Sequence, residues 1–285
     1  MTSRDWSSDV CSSDLENFSK KKVIALAVLG VLLAALVLGM NFYTEHKEQF
    51  IAASTPTPQP VDASGPQTTQ TVTIPDSALQ NLNVEMHDYG ALAVSVDSTA
   101  AESTLVCENI HAEWLTVTEE ENGLTVSYAA PGEHKLSADE ETPTYTLVLN
   151  TTAVGDLKLD DSLGSIDILN ALTANSLTVN VNLGTLTAEE LSVKKLDVTL
   201  GLGGVEIAKL SDAEEANITA AGSVAVGLTE SAENYGFSLA ADNGTVTVDG
   251  AEQGSSYKTN GGAKVHVETY SADITVNTRD RKSVV

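Results

Sequence analysis

The sequence predicts an all-β protein: a parallel β-solenoid, β-helix-like, with turns of about 20 residues that each carry two short strands, behind one N-terminal transmembrane helix. The first observation behind this is a repeat. Between Val154 and Val226, Gly164, Gly184 and Gly204 recur 20 residues apart, and Gly222 follows 18 later. The second is that each glycine introduces a short alternating segment: 165–168, 185–188, 205–207 and 223–226. A second alternating segment sits halfway through each period, at 157–159, 177–179, 196–198 and 216–218. The third is that no useful run of helical periodicity occurs outside residues 23–43.

The apolar run Val23–Tyr43 follows Lys20-Lys21-Lys22 and has no polar side chain up to Met40. Its 21 residues would span about 31 Å as a helix, the thickness of a bilayer core. The three lysines place residues 16–22 in the cytoplasm and everything after Tyr43 outside. The run is longer than the apolar core of a cleaved signal peptide and has no A-x-A site beside it, so an uncleaved anchor is expected. Residues 44–69 are rich in Pro, Thr, Ser and Gln, with Pro56, Pro58, Pro60 and Pro66, and read as an extended spacer.

Residues 70–278 form the expected ectodomain, with the solenoid repeats over 154–276. Before the repeats, strands are expected at 91–96, 104–107, 114–118 and 124–128. Asn122-Gly123 supplies a hairpin turn between the last two. A polar loop covers 129–142, and 145–149 leads into the repeats. After Val226 the period lengthens: strands are expected at 235–239, 244–248, 263–267 and 273–276, with a Gly- and Ser-rich loop over 250–262. The glycines are expected at corners with positive φ, and outward Thr, Asn and Asp are expected to keep the flanks wet.

The two ends differ from the rest. All three arginines, Arg4, Arg279 and Arg281, lie there, and residues 7–15 nearly duplicate a Ser-Ser-Asp motif. Residues 4–15 resemble the translated form of a sequencing adapter, and residues 279–285 its reverse-side equivalent. Residues 1–15 and 279–285 are therefore set apart from fold reasoning, and the natural N-terminus is expected to lie outside the sequence. Without Cys11 the remaining thiol is Cys107, read as a small buried hydrophobe with no disulfide partner.

The stretch from Tyr145 to Val276 is similar to a bacterial family of β-solenoid ectodomains of unknown function named as candidate adhesins. The resemblance rests on Gly155-Asp156-Leu157 with Gly164-Ser165-Ile166-Asp167-Ile168, and on the ending Tyr270-Ser271-Ala272-Asp273-Ile274-Thr275-Val276. It implies a membrane-anchored ectodomain and carries no catalytic residues to this chain.

Charge narrows the partners. From Thr69 to Thr278 there are 32 Asp and Glu against 7 Lys and no Arg, so the whole net charge of −25 sits in the ectodomain. Such a surface repels nucleic acid and anionic lipid. A polysaccharide-cleaving β-helix needs basic and aromatic side chains, and this one has no Trp beyond Trp114. Ser255-Ser256-Tyr257-Lys258 fits the S-x-x-K pattern but lacks its companion motifs and sits between strands. His46, His87, His111, His134 and His266 are too dispersed for zinc. Acidic pairs at Asp160-Asp161, Glu189-Glu190 and Glu214-Glu215 recur at turns and read as solvated corners rather than a calcium ladder.

The expectation is therefore a non-enzymatic, membrane-anchored extracytoplasmic module for adhesion, binding or envelope structure. No catalytic, cofactor or metal residues are assigned, and the expected partner is an envelope protein or cell-wall polymer. A sensory or accessory role in a cell-envelope stress response is the alternative, and a glycan-active enzyme the more remote one.

Overall fold

The computed structural model describes residues 65–131 and 139–279. The apolar run 23–43 lies outside them; among the described residues no helix is long and apolar enough to cross a membrane. The chain enters the sheet with β1 (Thr68–Ile74), whose first two residues overlap the segment read as spacer, then β2 (Asn81–Tyr89) and β3 (Ala91–Val96), parted by Gly90 alone. β4 (Ser103–Ile110), β5 (Leu115–Glu120), β6 (Gly123–Tyr128) and β7 (Thr144–Leu149) follow. β8 runs unbroken from Ala153 to Leu202 and bends around several corners. After it come β9 (Val205–Ser211), β10 (Glu215–Ala220), β11 (Val224–Leu228), β12 (Tyr235–Ala241) and β13 (Val246–Val248). Two very short strands, β14 (Ala251–Glu252) and β15 (Ser256–Lys258), precede β16 (Ala263–Thr269) and β17 (Ile274–Asn277).

Pairing sorts these strands onto two faces of a solenoid. One face runs β5, β6, β2, then β8 at 156–161 and at 195–200, then β10, β16, β12 and β15. Between the two β8 stretches lies the rung around Leu177–Val181. It is placed by Ser176 Oγ donating to Asp156 at 2.7 Å and Asn180 Nδ2 donating to Asp160 at 2.6 Å. The other face runs β1, β4, β7, β3, then β8 at 166–168 and 186–188, then β9, β11, β17, β13 and β14. Alternate residues point in. Leu157, Leu159, Leu177, Val179, Val181, Leu196 and Val198 from one face meet Ile166, Ile168, Leu186, Val205 and Ile207 from the other, all essentially buried.

The corner glycines are required for room. A Cβ on Gly164 would overlap the carbonyl oxygen of Gly90; the same holds for Gly184 against Gly164, Gly203 against Gly184 and Gly222 against Gly203. The backbone of each turn thus rests directly on the one below. The expected ladder ran through Gly204, and the stacked residue is Gly203, which also has a φ of 131°. The strict 20-residue spacing slips by one because only the member in line with the stack must lack a side chain.

The sheet is mixed, a correction to the purely parallel solenoid read from the repeat. Antiparallel pairs close both ends: β5–β6, β1–β4 and β4–β7 at one, β12–β15 and β13–β14 at the other. The loop expected over 250–262 therefore contains two strands. Sequence order and spatial order also part at the ends. β2 lies inside β6, and β16 slots between β10 and β12, so the last turn fills a gap left by an earlier one. Of the edge strands left this way, β5 carries charge and β14 and β15 are very short, while β1 is a seven-residue uncharged edge. Aromatic side chains gather there too, Trp114, Tyr128 and Tyr145 at one end and Tyr235, Phe237 and Tyr257 at the other, with ring centroids 5.8–6.1 Å apart. An end rung has a neighbour on one side only, and a ring covers more apolar surface than a valine.

Gly184→Ala is expected to cost about 3 kcal/mol or more, because the clash is with backbone that cannot move without unstacking a turn. Gly262→Ala, whose Cβ would meet Asn234 O at 3.3 Å, should cost far less in the same denaturant titration. Val179→Asp should unfold several turns together, read as loss of amide protection on the flanking rungs; an unchanged melting temperature would refute its inward role.

Candidate functional site

Several outward polar side chains of the solenoid bond one another, rung to rung. Asn175, Ser176 and Asn180 donate to the carboxylates of Asp156 and Asp160. Asn217 donates to Asp197 at 2.8 Å, Ser192 to Asp212 at 2.6 Å, and Thr187 to Asp167. At the start of the first face, Asp156, Ser176, Lys195, Glu215 and Lys264 follow one another up the sheet around a shallow depression. There Lys195 faces Glu215, and Glu215 faces Lys264. Adjacent opposite charges of this kind stabilise a sheet modestly.

The acidic pairs singled out in the sequence do not converge. Asp160 points outward and takes both Asn180 and Lys158, the latter at 2.5 Å. Glu190 pairs with Lys209 at 3.3 Å, and Glu215 joins the lysine column. Among the described residues no three His, Cys, Asp or Glu side chains gather as metal ligands would. His87 and His266 sit on the outer face beside Glu85 and Glu268. His111 is buried, with Nδ1 2.7 Å from Gly65 O and Nε2 2.9 Å from Glu140 Oε1. His46 and His134 lie outside the described residues. Ser255 lies in the turn before β15 and Lys258 ends that edge strand, which is antiparallel to β12. Cys107 is fully buried and its thiol is pushed up to about 12 by that burial.

A polar group that sequence reasoning missed lies inside the N-terminal end. Asp161 is 2% exposed; its Oδ1 accepts the Leu163 N–H at 3.0 Å, and Oδ2 has no partner. The Tyr145 hydroxyl is likewise buried without a partner, and its ring crowds the bare Cα of Gly90. Tyr128 stacks on Tyr145 at 5.9 Å and accepts the His111 N–H at 3.2 Å. Asp88, nearly buried as well, accepts the Tyr89 N–H at 2.8 Å. Burial pushes the Asp161 acid up to about 7, against the opposing pull of the Leu163 N–H, and it pushes Tyr128 up to about 12. Burial also raises Tyr145 strongly, with Tyr128, Cys107, Asp88 and Asp161 adding to it. The sequence signal was parity: in strand 157–161 the inward residues are Leu157, Leu159 and then Asp161. Read as an acidic pair, Asp160-Asp161 hid the fact that its members face opposite ways.

Residues 43–277 match the model of the Toastrack DUF4097 family. The chain belongs to that family. The Toastrack match extends well beyond the repeats from which the resemblance was first read and takes in both antiparallel ends. No curated protein matches the sequence. Solved structures similar to this Toastrack chain include a candidate cell adhesion protein from Clostridium sporogenes, at 16% identity and a TM-score of 0.45, covering 75% of this chain and 100% of that one. A candidate adhesin from Bacteroides fragilis matches at 16% identity and a TM-score of 0.38, covering 76% and 98%. A candidate lipid-binding protein from Parabacteroides distasonis matches at 9% and 0.23, covering 76% and 98%.

A buried acid that is neutral in the fold and ionised in the unfolded chain makes stability depend on pH. Asp161 has its folded pKa raised, so the folded state holds a proton that the unfolded state releases above about 4. Its contribution is present at low pH and lost as pH rises from about 4 to about 7, by ~4 kcal/mol. Asp161→Asn should therefore melt above the parent at pH 8, with the difference shrinking toward pH 4. A difference that is constant across this range would remove Asp161 as its source.

Proposed function

We propose that this protein is a non-enzymatic module displayed outside the cell for adhesion, binding or envelope structure, held by a single helix at 23–43 on the spacer of 44–69. The observation that carries this reading is the state of the solenoid surface. A ladder of its outward Asp, Asn, Ser, Thr and Lys side chains is paired along the stack, which fixes the geometry of those faces. Catalysis asks for the opposite arrangement: a base, a nucleophile or an acid converging on a concave, water-poor pocket. The titratable groups perturbed most here, Asp161, Tyr145, Tyr128 and Cys107, lie inside the core where no substrate reaches them. Long faces of stacked turns suit a surface that meets another surface. The partner class it fits is an envelope protein or a wall polymer, with nucleic acid excluded by the −25 charge.

Topology provides the test. Intact cells expressing the full chain should be labelled by antibody to the solenoid, and protease added outside should release it. Deletion of residues 23–43 should move the protein out of the membrane fraction. A solenoid protected from outside protease in intact cells would overturn the reading.

A further inference from the structure

One corner of the solenoid carries a continuous apolar ridge. The residue before each stacked glycine is Tyr89, Leu163, Leu183, Leu202 or Ala221, and the glycine stack sets these on successive rungs. Tyr89 is paired with Leu163 across adjacent strands. The next rung adds Tyr270, one residue beyond the Ala220–Thr269 pair, where Ser271 Oγ donates to Ala221 O at 2.9 Å. Six large apolar side chains stand exposed among the described residues, and four of them are here: Tyr89 at 38%, Leu183 at 44%, Leu202 at 60% and Tyr270 at 55%. The core does not need them, since the inward positions are filled by neighbours of opposite parity. Thr or Ser at these corners would leave every inward core position filled.

The flanks of the ridge are as selective as the ridge. On its middle rungs the neighbouring outward positions are Asn182 and Thr199 on one face, Thr185 and Ser223 on the other. The nearest carboxylate on the middle rungs is Glu206, four residues beyond Leu202, and charge comes closer toward the ends, at Asp160 and at Glu268 and Asp273. On a chain of net charge −25, this strip is where another acidic surface can approach without strong repulsion.

We propose that the ridge is a self-association surface, on which two copies of this chain pack corner to corner in antiparallel register. The period argues for a second copy. Rungs repeat every ~4.8 Å, so knobs on one ridge stay in step with knobs on another over its ~24 Å length. A helix, at ~5.4 Å per turn, drifts out of step. Antiparallel pairing about a two-fold axis sets rung one against rung six. Tyr89 then meets Tyr270, Leu183 meets Leu202, and Leu163 meets the small Ala221. A strip this narrow belongs with small, weak interfaces, which gain strength when many copies are displayed side by side. This inference rests on the reading of the chain as a binding module and names its partner.

The experiment uses the full chain purified in nonionic detergent, followed by sedimentation against concentration. The mass should rise from monomer toward dimer, more so at high salt, where the acidic surfaces are screened. Leu183→Asp with Leu202→Asp should weaken that rise about tenfold or more at an unchanged melting temperature. Leu183→Ser with Leu202→Ser serves if the aspartates disturb folding. Register is read by disulfide trapping in a Cys11→Ser background, where buried Cys107 stays silent. A mixture of Tyr89→Cys and Tyr270→Cys chains should cross-link, and Tyr89→Cys alone should not. Cross-linked Tyr89→Cys homodimers, or a mass insensitive to the ridge substitutions, would overturn the proposal. So would ridge variants that lose binding to a wall-glycan preparation while self-association is unchanged. Because association is read on purified chain and display on intact cells, either reading can fail without the other.

Discussion

Everything in this fold depends on how closely one turn of backbone can lie on the next. The hydrogen-bonded spacing between strands leaves no room at the corner for a Cβ, because the carbonyl of the turn below already occupies that space. Glycine at 90, 164, 184, 203 and 222 is the steric condition for two faces to stay in register around a shared core. Once the corners stack, the rest follows by parity. Leu and Val of alternate positions turn inward, and Asp, Asn, Ser and Thr turn outward at a distance where they bond the rung above or below.

A stack of identical turns solves the middle of the molecule and leaves its ends unsolved. Each end would expose a full edge of unpaired backbone and one side of the apolar core. This chain answers with antiparallel strands, with aromatic rings, and with a reversal of order in which β2 and β16 become interior rungs. The reversal means that the gap between β10 and β12 is filled only by residues near the C-terminal end of the sequence, so closure depends on the whole solenoid being present.

The N-terminal end also holds a cost. Asp161 occupies an inward position that Met86 fills on the adjacent rung and Leu200 on a later one, and its second oxygen and the Tyr145 hydroxyl lack partners. A buried polar pair of this kind weakens the fold when ionised, which is why the physical consequence is pH dependence rather than chemistry. The corner ridge is the converse feature: apolar side chains left exposed at corners outside the core.

Repeat, class and surface character were legible in the sequence, since glycine spacing, period-two alternation and charge are properties of neighbouring residues. The strands at 91–96, 124–128 and 145–149, the β5–β6 hairpin (which turns at Glu121-Asn122, one residue before the expected Asn122-Gly123 step) and the inward Leu177 and Val179 all followed from local pattern. The choice of Gly203 over Gly204 did not, nor did the antiparallel ends. These depend on which turn lies beneath, and pairing between residues 50 or 100 positions apart leaves no local trace. The same holds for the candidate sites. Asp161 reads as a solvated acid until its strand fixes which way it points. Tyr89, Leu202 and Tyr270 are unrelated residues until stacking sets them on one edge. Sequence determined what each turn buries; the stacking of turns decided what the finished surface presents.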